Sequence, residues 1–258
     1  MHKSLRKKEI KELATDYSNL FYDKILETLS AIKNKERDAI ENAANIITER
    51  FLNDKVLHVL GTGHSMIITQ ELFYRAGSLV PVNAIMDSSL LSINAVKSTL
   101  TERLSGYAKV LLDYYGISKN DVLFVISLSG VNAVPVEAAV EAKERDVHVV
   151  ALTSVKASSK LQPRNKYGKR LYEVANITID NHVPFGDASV QLKNLPQAVA
   201  PLSTIANAFI VNLMVIKVAE NYLTKGLQPP IWVSSNVPGG DEANERYLKK
   251  YQNKIRHL

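Results

Sequence analysis

VLHVLGTGHS at residues 56–65 and DVLFVISLSGVN at residues 121–132 share one pattern. Each carries an apolar stretch rich in Val and Leu into small hydroxyl and glycine residues, and a helical pattern follows. In an open α/β sheet the carboxyl ends of the strands and the helix N-termini meet at one edge, where free N–H groups and dipoles attract anions. Two such junctions predict one anionic ligand held between two loops. Glycine lets the backbone approach closely, and serine adds hydroxyl donors.

Outward from these junctions the pattern alternates. Strands are predicted at 55–60, 80–86, 121–127, 147–153 and 174–179, and helices near 65–77, 104–115, 133–145, 196–224 and 242–254. Alternating strands and helices signal a parallel sheet covered on both faces. The expected fold class is therefore α/β, a doubly wound three-layer α/β/α sandwich with helical additions at both ends. Before it, Ile10, Leu13, Tyr17, Leu20, Phe21, Ile25, Leu29 and Ile32 recur at helical spacing, and Ile40, Ala43, Ala44, Ile47 and Phe51 follow on a second amphipathic segment. So long an apolar stripe must cover its own domain or a partner subunit, and a homodimer is the expected use. The organisation reads as a helical segment at 1–35, the sheet domain at 36–225 and a tail with a helix at 226–258. Two loops stand out: 154–170 is polar and basic, and 181–195 carries His182 and Asp187.

The 258 residues are 46% hydrophobic, ample for a buried core, and contain no cysteine, which removes disulfides and thiol chemistry. The opening MHKSLRKKEIKEL is charged throughout, and no run of 18 apolar residues occurs. A cytoplasmic protein with no membrane partner is expected. Net charge is +6, concentrated toward the ends, without the aromatic interleaving or reading helix of a nucleic-acid binder. No nucleic-acid partner is expected; a positive field for anionic small molecules is the functional alternative to solvated helix faces. GTGHSM lacks the third glycine of a dinucleotide fingerprint, no GxxxxGK[ST] occurs, and neither Ser127 nor Ser129 has the flanking glycines of a nucleophile elbow. HExxH is missing and the six histidines are scattered, so no metal is expected. His58 and His148 fall inside apolar strands and read as core or sheet-face residues. Asn132 is a candidate N-cap for the helix at 133–145.

Gly61-Thr62-Gly63-His64-Ser65 and Ser127-Leu128-Ser129-Gly130, each after a hydrophobic strand, resemble the two signature loops of the sugar isomerase (SIS) phosphosugar-binding domain. The resemblance covers about residues 36–225. It implies a five-stranded parallel sheet flanked by helices, usually dimeric. It places phosphate on Ser127, Ser129, Gly130 and Asn132, and sugar contacts on Gly61, Thr62, Gly63, His64 and Ser65. Independently of the resemblance, His182 and Asp187 are second-rank sugar-contact candidates, because their loop follows the fifth strand at the strand ends where ligand sites form. The tail PPIWVSSNVPGGDEANERYLKKY at 229–251 narrows the resemblance to a little-characterised group of stand-alone bacterial SIS proteins.

Isomerisation of an aldose to a ketose needs a base that moves a proton between neighbouring carbons and a group that opens the ring. Three residues are candidates. Glu220, late in the long helix, has an apolar neighbourhood that would raise its pKa. Glu71 either faces the cleft or pairs with Arg75 at i,i+4. His64 sits within the first loop, placed to assist ring opening. Arg75 stands where some family enzymes carry a catalytic Glu, which counts against an etherase of the muramic-acid type. The expected function is a phosphosugar-binding protein that isomerises a sugar phosphate or amino-sugar phosphate without a metal or organic cofactor. The alternatives are a non-catalytic phosphosugar sensor and, behind it, an etherase or lyase.

Overall fold

The computed structural model describes residues 16–258, so the part of the first apolar stripe at Ile10 and Leu13 lies outside the described residues. Five strands form one parallel sheet: β1 (Leu57–Gly61), β2 (Val82–Ile85), β3 (Val122–Ile126), β4 (His148–Thr153) and β5 (Ile177–Asp180), in the order β2-β1-β3-β4-β5. The order reverses between β1 and β3, which pair in register from Leu57↔Val122 to Gly61↔Ile126. Both signature loops therefore leave neighbouring strands at one edge, the position where ligands sit in open α/β sheets.

Successive side chains on a strand face opposite sides, and the sheet separates two cores accordingly. Leu57, Val59, Val122, Phe124, Val150 and Leu152 pack with helices α1 (Tyr17–Lys35), α2 (Arg37–Leu52) and α3 (Met66–Leu72) on one face. Leu60, Leu123, Val125, Val149 and Ala151 pack on the other. There they meet α5 (Tyr107–Tyr114) and α6 (Ala133–Glu144), which follow the short α4 (Ala95–Thr101), and α8 (Leu171–Val174), which follows the single turn α7 (Val155–Ser158). This is the three-layer sandwich that the sequence pattern predicts.

Two elements differ from expectation. The stretch predicted as the start of the last core helix instead holds β7 (Val199–Pro201), which pairs antiparallel with β6 (Ala188–Val190). The helix proper, α9, spans Ser203–Leu223. By length and hydropathy α9 is apolar enough to cross a membrane. In the fold its Ala206, Ile210, Val211, Met214 and Val218 are buried in the core shared with α1, α2 and α3. At the far edge of the sheet, Trp232 packs with Val56, Val80, Tyr251 and Ile255, so the tail and its helix α10 (Gly240–Tyr251) close that end.

His58 lies within this body at 1% exposure. A buried polar ring is tolerated only when its nitrogens are bonded. Its Nδ1 is 3.2 Å from Asn83 Nδ2, a donor, and its Nε2 is 3.3 Å from Asp121 Oδ2. The ring proton accordingly sits on Nε2 and faces the carboxylate. His58 is a structural tie between β1, β2 and β3, remote from the loops. His148, at the start of β4, is half-buried, and burial together with the nearby Arg50 charge holds its pKa below the usual histidine value.

Candidate functional site

The second loop is stapled from behind. Gly130 adopts φ +57°, and a Cβ there would come within 3.0 Å of Thr153 Oγ1 and 3.2 Å of Leu171 Cβ, so glycine is required for both reasons. The Ser127 hydroxyl accepts from the Gly130 N–H at 3.2 Å, the Gly130 carbonyl accepts from Leu171 N at 2.8 Å, and the Thr153 hydroxyl donates to the Leu128 carbonyl at 3.1 Å. Ser127 and Asn132 are buried and Ser129 is half-buried. Among the described residues nothing accepts from the backbone N–H of Leu128, Ser129 or Asn132. Unpaired amides followed by the start of α6 form an anion-attracting edge.

Asn132 does not cap α6 as predicted. Its backbone is extended, but its side chain makes no cap bond. Instead Nδ2 donates to Glu102 Oε1 at 2.6 Å, while Oδ1 is buried without a partner.

The first loop folds on itself. A Cβ on Gly61 would lie 2.5 Å from the Ser65 backbone, which leaves no room for any side chain. The N–H groups of Ser65, Met66, Ile67 and Ile68 donate to the carbonyls of Thr62, Gly63, His64 and Ser65. What this loop offers is side chains. Thr62, His64 and Ser65 line a cavity of about 150 Å³, with Leu128 from the second loop and Asp187, Ser203, Thr204 and Asn207 from the β6–β7 hairpin and the start of α9. His64 is exposed there, and Gly63 takes φ +56° beside it.

Glu102, the residue that ends α4, was not singled out by sequence reasoning. Its backbone carbonyl accepts from Val134 N at the start of α6 at 2.9 Å, and its carboxylate meets Asn132 of the second loop. Burial raises its pKa above the usual glutamate value, against the opposing influence of the Thr62 hydroxyl and the charges of Arg103 and Arg164. A half-buried carboxylate is thus bonded to the second loop and lies close enough to Thr62 of the first to feel it, although it does not line the cavity. A raised pKa beside two such loops marks a functional-site candidate.

The remaining predicted residues fall in three places. Asp187 lines the cavity but is also engaged: its Oδ1 accepts from Leu202 N and Ser203 N at 3.0 and 2.8 Å, and Oδ2 accepts from the Ser203 hydroxyl at 2.7 Å. It caps α9, a favourable place for a carboxylate. His182 is turned to α2's N-terminal junction, where Nε2 lies 2.9 Å from Glu36 Oε1, and it does not line the cavity. A sugar contact from His182 is not supported by this placement.

Neither predicted carboxylate base reaches the loops. Glu71, in the last turn of α3, pairs at 3.1 Å with Arg75 three residues beyond the helix end, so the expected ion pair forms but not on the helix. Glu220 pairs with Lys217 at 2.7 Å on the surface. It stands seventeen residues beyond Ser203 on α9, roughly 25 Å away at helical rise. Apolar neighbours in sequence belong to the opposite face of that helix, and Glu220 itself is exposed. Among the described residues no group of three or more His, Asp or Glu side chains is arranged to hold a metal ion.

The SIS domain matches residues 20–154 of the chain. A UPF0309 protein of Caldanaerobacter subterraneus subsp. tengcongensis is 41% identical over 244 residues, covering 93% of this chain and 99% of that protein. A second, from Geobacillus kaustophilus, is 38% identical and covers 92% and 95%. The chain belongs to the SIS domain family. Among solved structures, phosphoheptose isomerase from Neisseria gonorrhoeae shares the fold with TM-score 0.55 at 19% identity, over 78% of this chain and 96% of that one. The Vibrio vulnificus NanR protein complexed with ManNAc-6P shares it with TM-score 0.50 at 15% identity, over 97% and 74%.

Proposed function

We propose that the chain binds a sugar phosphate or amino-sugar phosphate between its two loops and isomerises it, with Glu102 as the base. The observation that carries this reading is the Glu102 carboxylate, half-buried, bonded to Asn132 of the second loop and close to Thr62 of the first. Phosphate would lie on the unpaired amides and hydroxyls of the second loop, from Ser127 and Ser129 to Asn132, where Gly130 keeps the loop close. The sugar would extend over Gly61, Thr62, Gly63, His64 and Ser65 toward Asp187. In this arrangement ionised Glu102 takes the proton from C2 and returns it to C1 of the enediol, while His64, exposed to the cavity, assists ring opening. Neighbours of the same fold support the ligand class: one is a phosphoheptose isomerase and another is complexed with ManNAc-6P.

The chemistry proposed needs no metal or organic cofactor. A cytoplasmic homodimer is the working form, and the exposed Tyr22 and Leu26 on α1 with Ile216 and Leu223 on α9 are the surface that supports it. A non-catalytic sensor is the second reading, because Glu102 Oε1 is already held by Asn132 and would then only shape the pocket. An etherase draws no support from Arg75, whose guanidinium is engaged by Glu71. Solvent-deuterium exchange at the C2 proton of a ligand selected by thermal shift separates the first two. Exchange lost in Glu102→Gln supports the isomerase; tight binding without exchange in the wild type leaves the sensor.

A further inference from the structure

The segment 154–170 carries Lys156, Lys160, Arg164, Lys166, Lys169 and Arg170 and no acidic residue. It is not a free loop. Arg164 pairs with Asn132 in an isolated parallel bridge, its N–H donating to the Val131 carbonyl at 2.8 Å, and Asn165 Nδ2 donates to the same carbonyl at 3.0 Å. The Ser154 N–H donates to the Leu128 carbonyl at 3.2 Å. A cationic segment is thus fastened along the second loop. Arg170 is committed to Glu173 and to the Ser158 and Leu161 carbonyls. Arg164 is exposed and, among the described residues, has no carboxylate within ion-pair distance. Arg103, next to Glu102 in the chain, is in the same state. Both lie near enough to Glu102 to stabilise its charge.

The second-loop amides and hydroxyls offer enough donors to receive one phosphate by themselves, while Arg164 and Arg103 are engaged by no carboxylate of the described residues, and arginine is the side chain suited to bidentate recognition of phosphate or carboxylate. We infer that the ligand carries a second anionic group, a phosphate or a carboxylate, and that Arg164, supported by Arg103, is the residue that selects for it. The inference rests on the phosphosugar reading of the site and narrows its ligand class to sugar bisphosphates or phosphorylated sugar acids.

Matched ligand pairs test it by calorimetry on the full chain. Fructose 1,6-bisphosphate against fructose 6-phosphate probes a second phosphate, and 6-phosphogluconate against glucose 6-phosphate probes a carboxylate. In one pair the doubly anionic member should bind at least about tenfold tighter, as expected for a charge-assisted contact, with a steeper loss on added salt. In Arg164→Gln that ratio should fall to about one. Equal affinity within both pairs in the wild type, or a preference retained in Arg164→Gln, overturns the inference alone. Arg164→Gln weakening both members equally also overturns it, since Arg164 would then serve the loop phosphate. Binding of none of the four overturns the phosphosugar reading and the inference with it.

Discussion

The two signature loops leave adjacent strands and share a vocabulary of glycine and hydroxyl residues, yet they are held in different ways. The first loop runs directly into the turn and helix start, with short-range bonds from the Ser65 to Ile68 amides, and lines the cavity with Thr62, His64 and Ser65. The second loop is held from behind through Ser127, Gly130 and Thr153, and among the described residues nothing accepts from the amides of Leu128, Ser129 and Asn132. A backbone with open amides recognises charge, whatever its side chains. The proposed sugar end and phosphate end rest on this difference, with Glu102 bonded to the second loop through Asn132.

The largest expected effect is at Glu102. Glu102→Gln should lower proton exchange by at least about a hundredfold, the lower range for general base catalysis. In the wild type the exchange rate should rise with pH through a Glu102 pKa that burial has raised. The sign for stability is opposite. A carboxyl whose folded pKa is raised is fully compatible with folding below its unfolded value near 4.5 and becomes destabilising as pH rises through the folded pKa. Glu102→Gln should therefore show a higher Tm than the wild type at pH 7 and an equal one at pH 4. A lower Tm at pH 7 would mean that the charge is stabilised in the fold, and the base assignment would lose its basis.

Next in size is the first loop's backbone. Gly61→Ala should cost about 1–3 kcal/mol or more in urea denaturation, as overpacking does, because the added carbon meets fixed backbone. Gly63→Ala, where nothing lies within 4 Å, should cost only about 1 kcal/mol for its positive φ. Equal costs would show that the first loop is looser than described. Ser129→Ala should weaken phosphosugar affinity about tenfold and weaken inorganic phosphate in parallel; selective loss of the sugar alone would exchange the roles of the loops. The smallest effect belongs to Glu220→Gln, expected within about twofold of wild-type exchange, since an exposed ion pair contributes little. A loss as large as that of Glu102→Gln would return the base to α9.

The sheet was legible because each strand is a short run of Val, Ile and Leu closed by Gly, Ser or Asp, and because both faces are buried. The β6–β7 hairpin was not. Its strands are three residues each, and Pro196 and Pro201 resemble helix-start signals more than sheet. The loops were readable for the same reason as the strands that lead into them. Glu102 was hidden because its partners, Thr62 and Asn132, lie forty and thirty residues away, and α4 shows no buried apolar face to announce a placed helix: Val96 and Leu100 are exposed. Glu220 misled because periodicity reports which face of a helix is apolar, not how far along it the ligand lies.

Gly61 has a consequence beyond the fold. Every one-base change that replaces the residue encoded by a glycine codon introduces a side chain, and here even the first carbon of that side chain collides with the backbone of Ser65. The position is closed to gradual variation. A lineage that reshapes the cavity must do so around it, through Thr62, His64 and Ser65, with the turn itself inherited unchanged.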